Sequence, residues 1–429
     1  MLTEIILGSL IAQSGPLQGQ ALLDDMSKRA VQFFWDQSHP STGFTKDRAA
    51  NFATSDSYTV GSVASIGFSF IGLSVGAERG WIPRQQALDR ARLTMNKVRT
   101  KALKANGWLY HWLHWQNGSR QWNSEVSSID TSICLAGAII ANSYFKDATF
   151  TSDFQAWLNT INWQWMLTDG GTKPTSTSFC MGYSPESGWI NARWNQYSEQ
   201  RMLYIQALGD DIGVPLATWG SFPRPMATYS GMDYVGGGPI FLHQMAESFI
   251  DFRKKIDRYG HDYGYYSDIS ILANRKYCMN NPGGFAAYGP LYWGLNACDT
   301  PDGYRAVGAP GWGMGEDNGT ISPTGVAASI QTDPELVMNT LNHIITTYPN
   351  SYGRYGFANG INAHRNWIDP DVIGIDLGMA MCAIENYRDR FCWRMSEASP
   401  VMSFGMQRAG FRPNRTGLPS VAKPEKNKQ

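Results

Sequence analysis

The sequence is short of charge, of paired cysteines and of uninterrupted apolar runs, and each shortage removes a class of function. Only 17% of the residues are charged, and 36 Lys and Arg balance 36 Asp and Glu. With no basic run outside the last few positions, neither nucleic acid nor an anionic membrane is expected as a partner, and a neutral ligand fits better. The six cysteines (Cys134, Cys180, Cys278, Cys298, Cys382 and Cys392) form no CxxC pair and have no histidine nearby at metal-ligand spacing. Cys134 and Cys382 read as buried thiols in apolar helical runs, while a Cys278–Cys298 disulfide stays open. Residues 57–77 carry no charge, yet their four glycines and several serines suit a helix packed among helices better than a membrane span. No GxSxG elbow occurs. The glycine-rich stretch Gly311–Gly319 neither follows a strand nor opens a convincing helix, so a phosphate-cradling role is set aside. His111 and His114 stand among aromatics without a third ligand, which favours stacking or hydrogen bonding over a metal.

Aromatic residues are abundant. They make up 13% of the chain, and the 16 tryptophans lie mostly in segments that also hold Gly, Asn and Pro. Flat apolar rings with a polar tip, carried on loops, suit the C–H faces of sugars as well as they suit packing. With 429 residues, 43% of them hydrophobic, the chain has ample material for a buried core. No linker divides it, and the expected organisation is an N-terminal segment over 1–20, one domain over 21–400 and a tail over 401–429. The start, MLTEIILGSLIAQSG, carries an acidic residue where an export signal wants positive charge. The expectation is an atypical or trimmed signal on a secreted or periplasmic protein.

Apolar periodicity predicts roughly twelve helices, near 22–35, 59–76, 84–103, 126–144, 154–166, 196–208, 215–220, 240–256, 265–277, 325–330, 334–347 and 373–390. Convincing period-2 strands are few. The connections alternate between long and short, and in a series of antiparallel helices every second connection falls on the same side. The long ones therefore gather on one face, rich in Trp, Gly and carboxylates. Long irregular loops in a compact domain usually carry function. The inferred object is a single all-α domain with a cleft on its loop-bearing face.

The densest cluster of functional groups is Ser184–Gly209, with Glu186, Glu199, two Trp, two Arg and two Tyr at the approach to a helix. Cleaving a glycosidic bond needs one protonated carboxyl at the leaving oxygen and one carboxylate to activate water or attack. Four places supply carboxylates at helix ends on the loop side: Glu125 with Asp130, Glu186 with Glu199, Asp317, and Asp369, Asp371 and Asp376 in WIDPDVIGIDLG. For each taken alone, a helix cap or a surface ion pair is the favoured reading. Their recurrence at one edge, beside tryptophans, favours chemistry.

The segments EVSSIDTSICLAG, YSEQRMLYIQALG, GPIFLHQMAESFIDFR, YWGLNACDTPDGYRAVGAP, DNGTISPTGVAASI and GIDLGMAMCAIENYR resemble, in order, the motifs of the glucoamylase-like family, glycoside hydrolase family 144. The similarity runs over about residues 23–395. It implies an (α/α)6 toroid and inverting, endo-acting hydrolysis of linear β-1,2-glucan to sophoro-oligosaccharides, with no metal or organic cofactor. Carried onto this sequence, it makes Glu199 the general acid and Asp376 the general base acting through water, with Glu186 the rival for the acid. Glu125, Asp130, Arg193, Tyr197, His243, Gln244, Trp293, Tyr304 and Arg305 become candidates for substrate contact or its support. A helix start lowers a carboxyl pKa whereas a general acid needs it raised, so Glu199 must be buried or near another carboxylate. Two alternatives stay open: the same fold acting on another glucan linkage, by hydrolysis or by transfer, and a non-catalytic glycan-binding protein.

Overall fold

A computed structural model describes residues 17–309 and 316–414. The expected signal at the start and most of Gly311–Gly319 lie outside the described residues. Among those described there are fourteen α-helices: α1 (Gly19–Asp36), α2 (Val63–Glu78), α3 (Arg84–Thr100), α4 (Ser128–Phe145), α5 (Ala148–Leu158), α6 (Trp163–Leu167), α7 (Arg201–Asp210), α8 (Phe241–Phe249), α9 (Tyr263–Asn280), α10 (Pro323–Ala327), α11 (Pro334–Thr347), α12 (Gly374–Asp389), α13 (Phe391–Glu397) and α14 (Pro400–Arg408).

Six of them form an inner ring. Helix α2 packs against α4 and α12, α4 against α7, and α7 against α8. Gln244 on α8 reaches the Gly325 carbonyl and Ser329 at α10, each at 2.9 Å, and α10 packs on α12 to close the circle. Residues of α2 are buried on every side from Val63 to Gly76, as expected of a helix with no polar face. Helices α2 and α4 approach so closely that a Cβ on Gly67 would lie 2.6 Å from the Ile133 carbonyl oxygen. Only glycine fits there. Helices α1, α3, α5, α9 and α11 form the outer layer, and α1 and α3 show the one-sided burial of amphipathic surface helices. The product is the (α/α)6 toroid that the resemblance implied.

The alternation of connections holds after α2, α4 and α10 but not after α7, which residues 211–240 join directly to α8, nor after α8, which residues 250–262 join to α9. Long segments lead into α2, α4, α7, α8, α10 and α12, while α2–α3, α4–α5 and α10–α11 are joined by short turns. All six inner helices thus present their N-termini to one face, where the loops are stitched together by short antiparallel pairs. Arg48–Ala50 pairs with Asp371–Ile373, Val60–Ser62 with Trp112–His114, and Val126–Ser127 with Gly182–Ser184. Successive long loops are joined around the ring by these pairs.

Several expected boundaries shift. The helix expected from 196 starts at Arg201, leaving Glu199 in the turn before it. The helix expected over 240–256 stops at Phe249, because the Asp251 carboxylate accepts the Arg253 amide at 2.9 Å and turns the chain. The segment 154–166 is two helices, and 215–220 is a short 3-10 turn over Leu216–Gly220. The boundary expected at 400 falls at the start of α14, which packs along α7 while Arg408 donates to the carbonyls of Leu208, Asp211 and Val214. Strand Arg412–Pro413 then pairs with Lys255–Ile256, so the domain runs well into the expected tail. All six cysteines are buried free thiols, so Cys278 and Cys298 do not form the disulfide left open by the sequence. No helix among the described residues is long and apolar enough to cross a membrane.

Candidate active site

A cavity of about 630 Å³ opens on the loop face at the inner-helix N-termini. Glu199, Asp130, Asp376 and Tyr304 line it, together with Asp47, Arg48, Tyr58, His111, Trp112 and Trp122. Its apolar wall comes from Ile129 and Ile133 of α4, Phe241 and Met245 of α8, and Ile375 and Met379 of α12.

Glu199 is half-buried and accepts no side-chain hydrogen bond among the described residues. Burial, reinforced by the Asp130 carboxylate, pushes its carboxyl up to about 8, with His111 pulling the other way. The conflict with helix-start electrostatics is therefore resolved by position: Glu199 precedes Gln200, the N-cap of α7, and desolvation dominates. Asp130 sits in the first turn of α4, where Ser127 Oγ donates to it at 2.6 Å and its own amide donates back to Ser127. His111 bridges the next layer. Its Nδ1 lies 2.8 Å from Glu125 and its Nε2 3.5 Å from Asp130, and its ring stacks on Trp112 at 4.0 Å. Burial alone would lower its pKa, but the two carboxylates raise it to about 9, so it is a cation at neutral pH.

Asp376 occupies the first turn of α12 and is 2% exposed. Burial pushes it up to about 7, opposed by the hydrogen bond that Asn359 Nδ2 donates at 2.6 Å. Beside it, Arg48 gathers three carboxylates: Asp299 at 2.8 Å, Asp47 at 3.4 Å and Asp371 at 3.7 Å. Tyr58 donates to Asp371 at 2.7 Å. Asp369, behind this group, is pushed up to about 8 by burial and by Asp299. Two carboxyl groups of raised proton affinity thus face one cavity, Glu199 from the turn before α7 and Asp376 from the first turn of α12.

The other expected residues divide. Asp130 and Tyr304 line the cavity, and Glu125 stands behind His111. Glu186 does not join them. Its side chain is 56% exposed, takes two hydrogen bonds from Arg120, and is held at about 2 by that pair and by Ser184. Arg193 ties down the preceding loop through Asp169, the Leu167 carbonyl and Ser176. Tyr197 is buried between His243, 3.0 Å away, and Arg201. Gln244 closes the ring as described, and Trp293 donates to Thr340 at 3.0 Å inside the core. Arg305 points away at the exposed Gly303–Ala306 strand, 4.0 Å from Glu316. Asp317 is bonded to Tyr288 at 2.8 Å and does not line the cavity.

Sequence reasoning missed Asp47, Arg48 and Tyr58, read only as loop, and left Trp112 and Trp122 unassigned. The one available signal was a charged Asp-Arg pair inside a polar loop leading into an almost charge-free helix.

Residues 191–400 match the family model Glycoamylase, described as "Putative glucoamylase". The match covers just under half of the chain. A curated relative is the exo β-1,2-glucooligosaccharide sophorohydrolase (non-reducing end) of Parabacteroides distasonis, 24% identical over 439 aligned residues. The match takes in 92% of this chain but 59% of the relative, so the chain spans under two thirds of that protein's length. The endo-β-1,2-glucanase of Chitinophaga pinensis, solved with sophorotriose and glucose, superposes with a TM-score of 0.84 at 24% identity, covering 92% of this chain and 99% of that one. The endo-β-1,2-glucanase of Talaromyces funiculosus, solved with sophorose, superposes at 0.64 with 11% identity over 90% and 88% of the two chains. The toroid is therefore shared well beyond recognisable sequence similarity.

Proposed function

We propose that this chain is a glycoside hydrolase that cleaves β-1,2-linked glucan, endo-acting and inverting, with Glu199 as general acid and Asp376 as general base through water. The observation that carries the reading is the pair of carboxyl groups facing one cavity, raised to about 8 and about 7. A general acid must hold its proton near neutrality, and Glu199 meets that need without any hydrogen-bonded cation to strip it. The hydrogen bond from Asn359 favours the ionised form of Asp376, which suits it to take a proton from water, while Glu199, raised by burial and by Asp130, is suited to hold one. Donation by Asn359 to one oxygen orients the carboxylate and leaves the other for the water. The names and ligands of the similar proteins support β-1,2-glucan as substrate, and an unchanged product pattern on any other linkage would move the assignment.

Linear β-1,2-glucan incubated with the protein is expected to yield new reducing ends and short sophoro-oligosaccharides, with inversion seen as the opposite anomer by NMR. Absence of new reducing ends sinks the hydrolytic reading. A second reading, exo-cleavage, is favoured by the activity named for the Parabacteroides relative. Early products separate the two: a spread of chain lengths supports endo-cleavage, and a single disaccharide supports exo-cleavage.

A further inference from the structure

Glu186 lies outside the carboxylate pair, but it belongs to an arrangement at the rim of the same cavity. Trp122 lines the cavity and is 70% exposed, meeting Trp112 edge-on at 5.6 Å between centroids. Its backbone φ is 54°, and that of Asn123 is 50°. Asn tolerates the left-handed region, but a bulky aromatic there persists only where its surroundings enforce it. Arg120 does so. Its Nε donates to the Ser124 carbonyl at 2.5 Å and its Nη2 to the Asn123 carbonyl at 2.6 Å. On the other side the guanidinium makes two bonds to Glu186, at 2.7 and 2.9 Å, and Ser184 Oγ donates to the same carboxylate at 2.6 Å. The Tyr110 ring lies 4.8 Å beneath it. A planar fork held by a bidentate carboxylate cannot rotate freely, so the turn carrying Trp122 is fixed in place.

We propose that Trp122 is a sugar-stacking platform at the mouth of the cavity and that the Arg120–Glu186 pair holds it there, setting how tightly the glucan chain is bound. The inference rests on the glycoside reading for its substrate class. A large exposed indole beside a second tryptophan offers a flat apolar face and no charge, the complement of a neutral sugar's C–H face. Trp122 touches the substrate. Arg120 and Glu186 are positioning residues that act through it.

The test compares wild type, Trp122→Ala, Trp122→Phe, Glu186→Gln and the double variant Trp122→Ala/Glu186→Gln on linear β-1,2-glucan, with circular dichroism to check folding. Loss of the platform removes binding common to ground and transition states, so Trp122→Ala should raise KM about tenfold with kcat within about twofold. Trp122→Phe keeps a flat ring and should recover most of that KM. Glu186→Gln should raise KM about threefold, and the double variant should match Trp122→Ala alone, because coupled residues are not additive. An unchanged KM in Trp122→Ala overturns the platform, and a double variant showing the product of both single effects overturns the positioning role. If wild type releases no reducing ends, the hydrolytic reading fails and the platform is tested by affinity electrophoresis in gels containing soluble glucans of different linkage. Retardation of wild type that is lost in Trp122→Ala upholds it; equal migration of the two in every gel overturns it.

Discussion

Glu186 and Glu199 carry the same side chain within one short stretch, yet the rim and the floor of the cavity give them opposite chemistry. At the rim, Glu186 is exposed, shares two hydrogen bonds with a guanidinium and is held at about 2. On the floor, Glu199 is half-buried and has no cationic hydrogen-bond partner among the described residues; burial first and then the Asp130 charge raise it to about 8. Desolvation and a like charge favour the protonated form; a bidentate cation favours the ionised one. One carboxyl can give a proton near neutrality and the other cannot. The largest expected effect follows from that difference. Glu199→Gln should lower kcat by about a thousandfold, within the usual range for losing a general acid, as read from initial rates of reducing-end release. Asp376→Asn should fall by a similar factor, whereas Glu186→Gln should stay within about twofold in kcat. A Glu186→Gln loss as large as that of Glu199→Gln would invert the comparison.

This difference was only half legible in the sequence. The spacing of long and short connections was enough to put the inner-helix N-termini on one face, and Asp130, Glu199 and Asp376 all stand there. What could not be read was which polar residues near that face turn inward. Inner helices are buried on nearly every side, so periodicity does not separate their cavity side from their packing side. Tyr197, His243, Gln244 and Trp293 are buried groups that hydrogen-bond within the core. Arg48 and Tyr58 were missed for the converse reason. They meet Asp299 and Asp371 only because Arg48–Ala50 pairs with Asp371–Ile373, a contact between the two ends of the chain. The Glu199 turn was misjudged by five residues of helix, enough to create a conflict between dipole and acid that the structure does not contain.

A pH profile sharpens the comparison next. Activity should rise as Asp376 ionises through about 7 and fall as Glu199 ionises through about 8, giving a narrow bell whose apparent limbs belong to the pair. Asp130 is one of the two causes that raise Glu199, so Asp130→Asn should move the basic limb to lower pH. A basic limb that stays in place would mean that burial alone supports the proton.

The same groups set a smaller effect on stability. Glu199 and Asp376 are raised above their ordinary carboxylate values, and His111 is raised from 6.5 to about 9. In each case the folded chain binds more protons than the unfolded one, so stability falls as pH rises. The Asp376 contribution is lost between 3.8 and about 7, that of Glu199 between 4.5 and about 8, and that of His111 between 6.5 and about 9. Glu199→Gln removes a charge that the floor disfavours, and should unfold at a temperature roughly 1–3 °C above wild type at alkaline pH, by differential scanning calorimetry. The gain should shrink toward acid pH, where wild-type Glu199 is protonated. An equal gain at all pH values would point to packing.

The smallest effect concerns the rim. Glu186 is ionised throughout the working range, since Arg120 and Ser184 hold it at about 2. Glu186→Gln should therefore leave both limbs of the pH profile where they are, even as it loosens the turn that carries Trp122 and raises KM. Measuring kcat and kcat/KM of that variant across the profile tests the two statements at once. A displaced limb would place the Glu186 charge within electrostatic reach of Glu199 or Asp376, and the rim would then belong to the chemistry. Fixed limbs with a raised KM leave it to substrate binding.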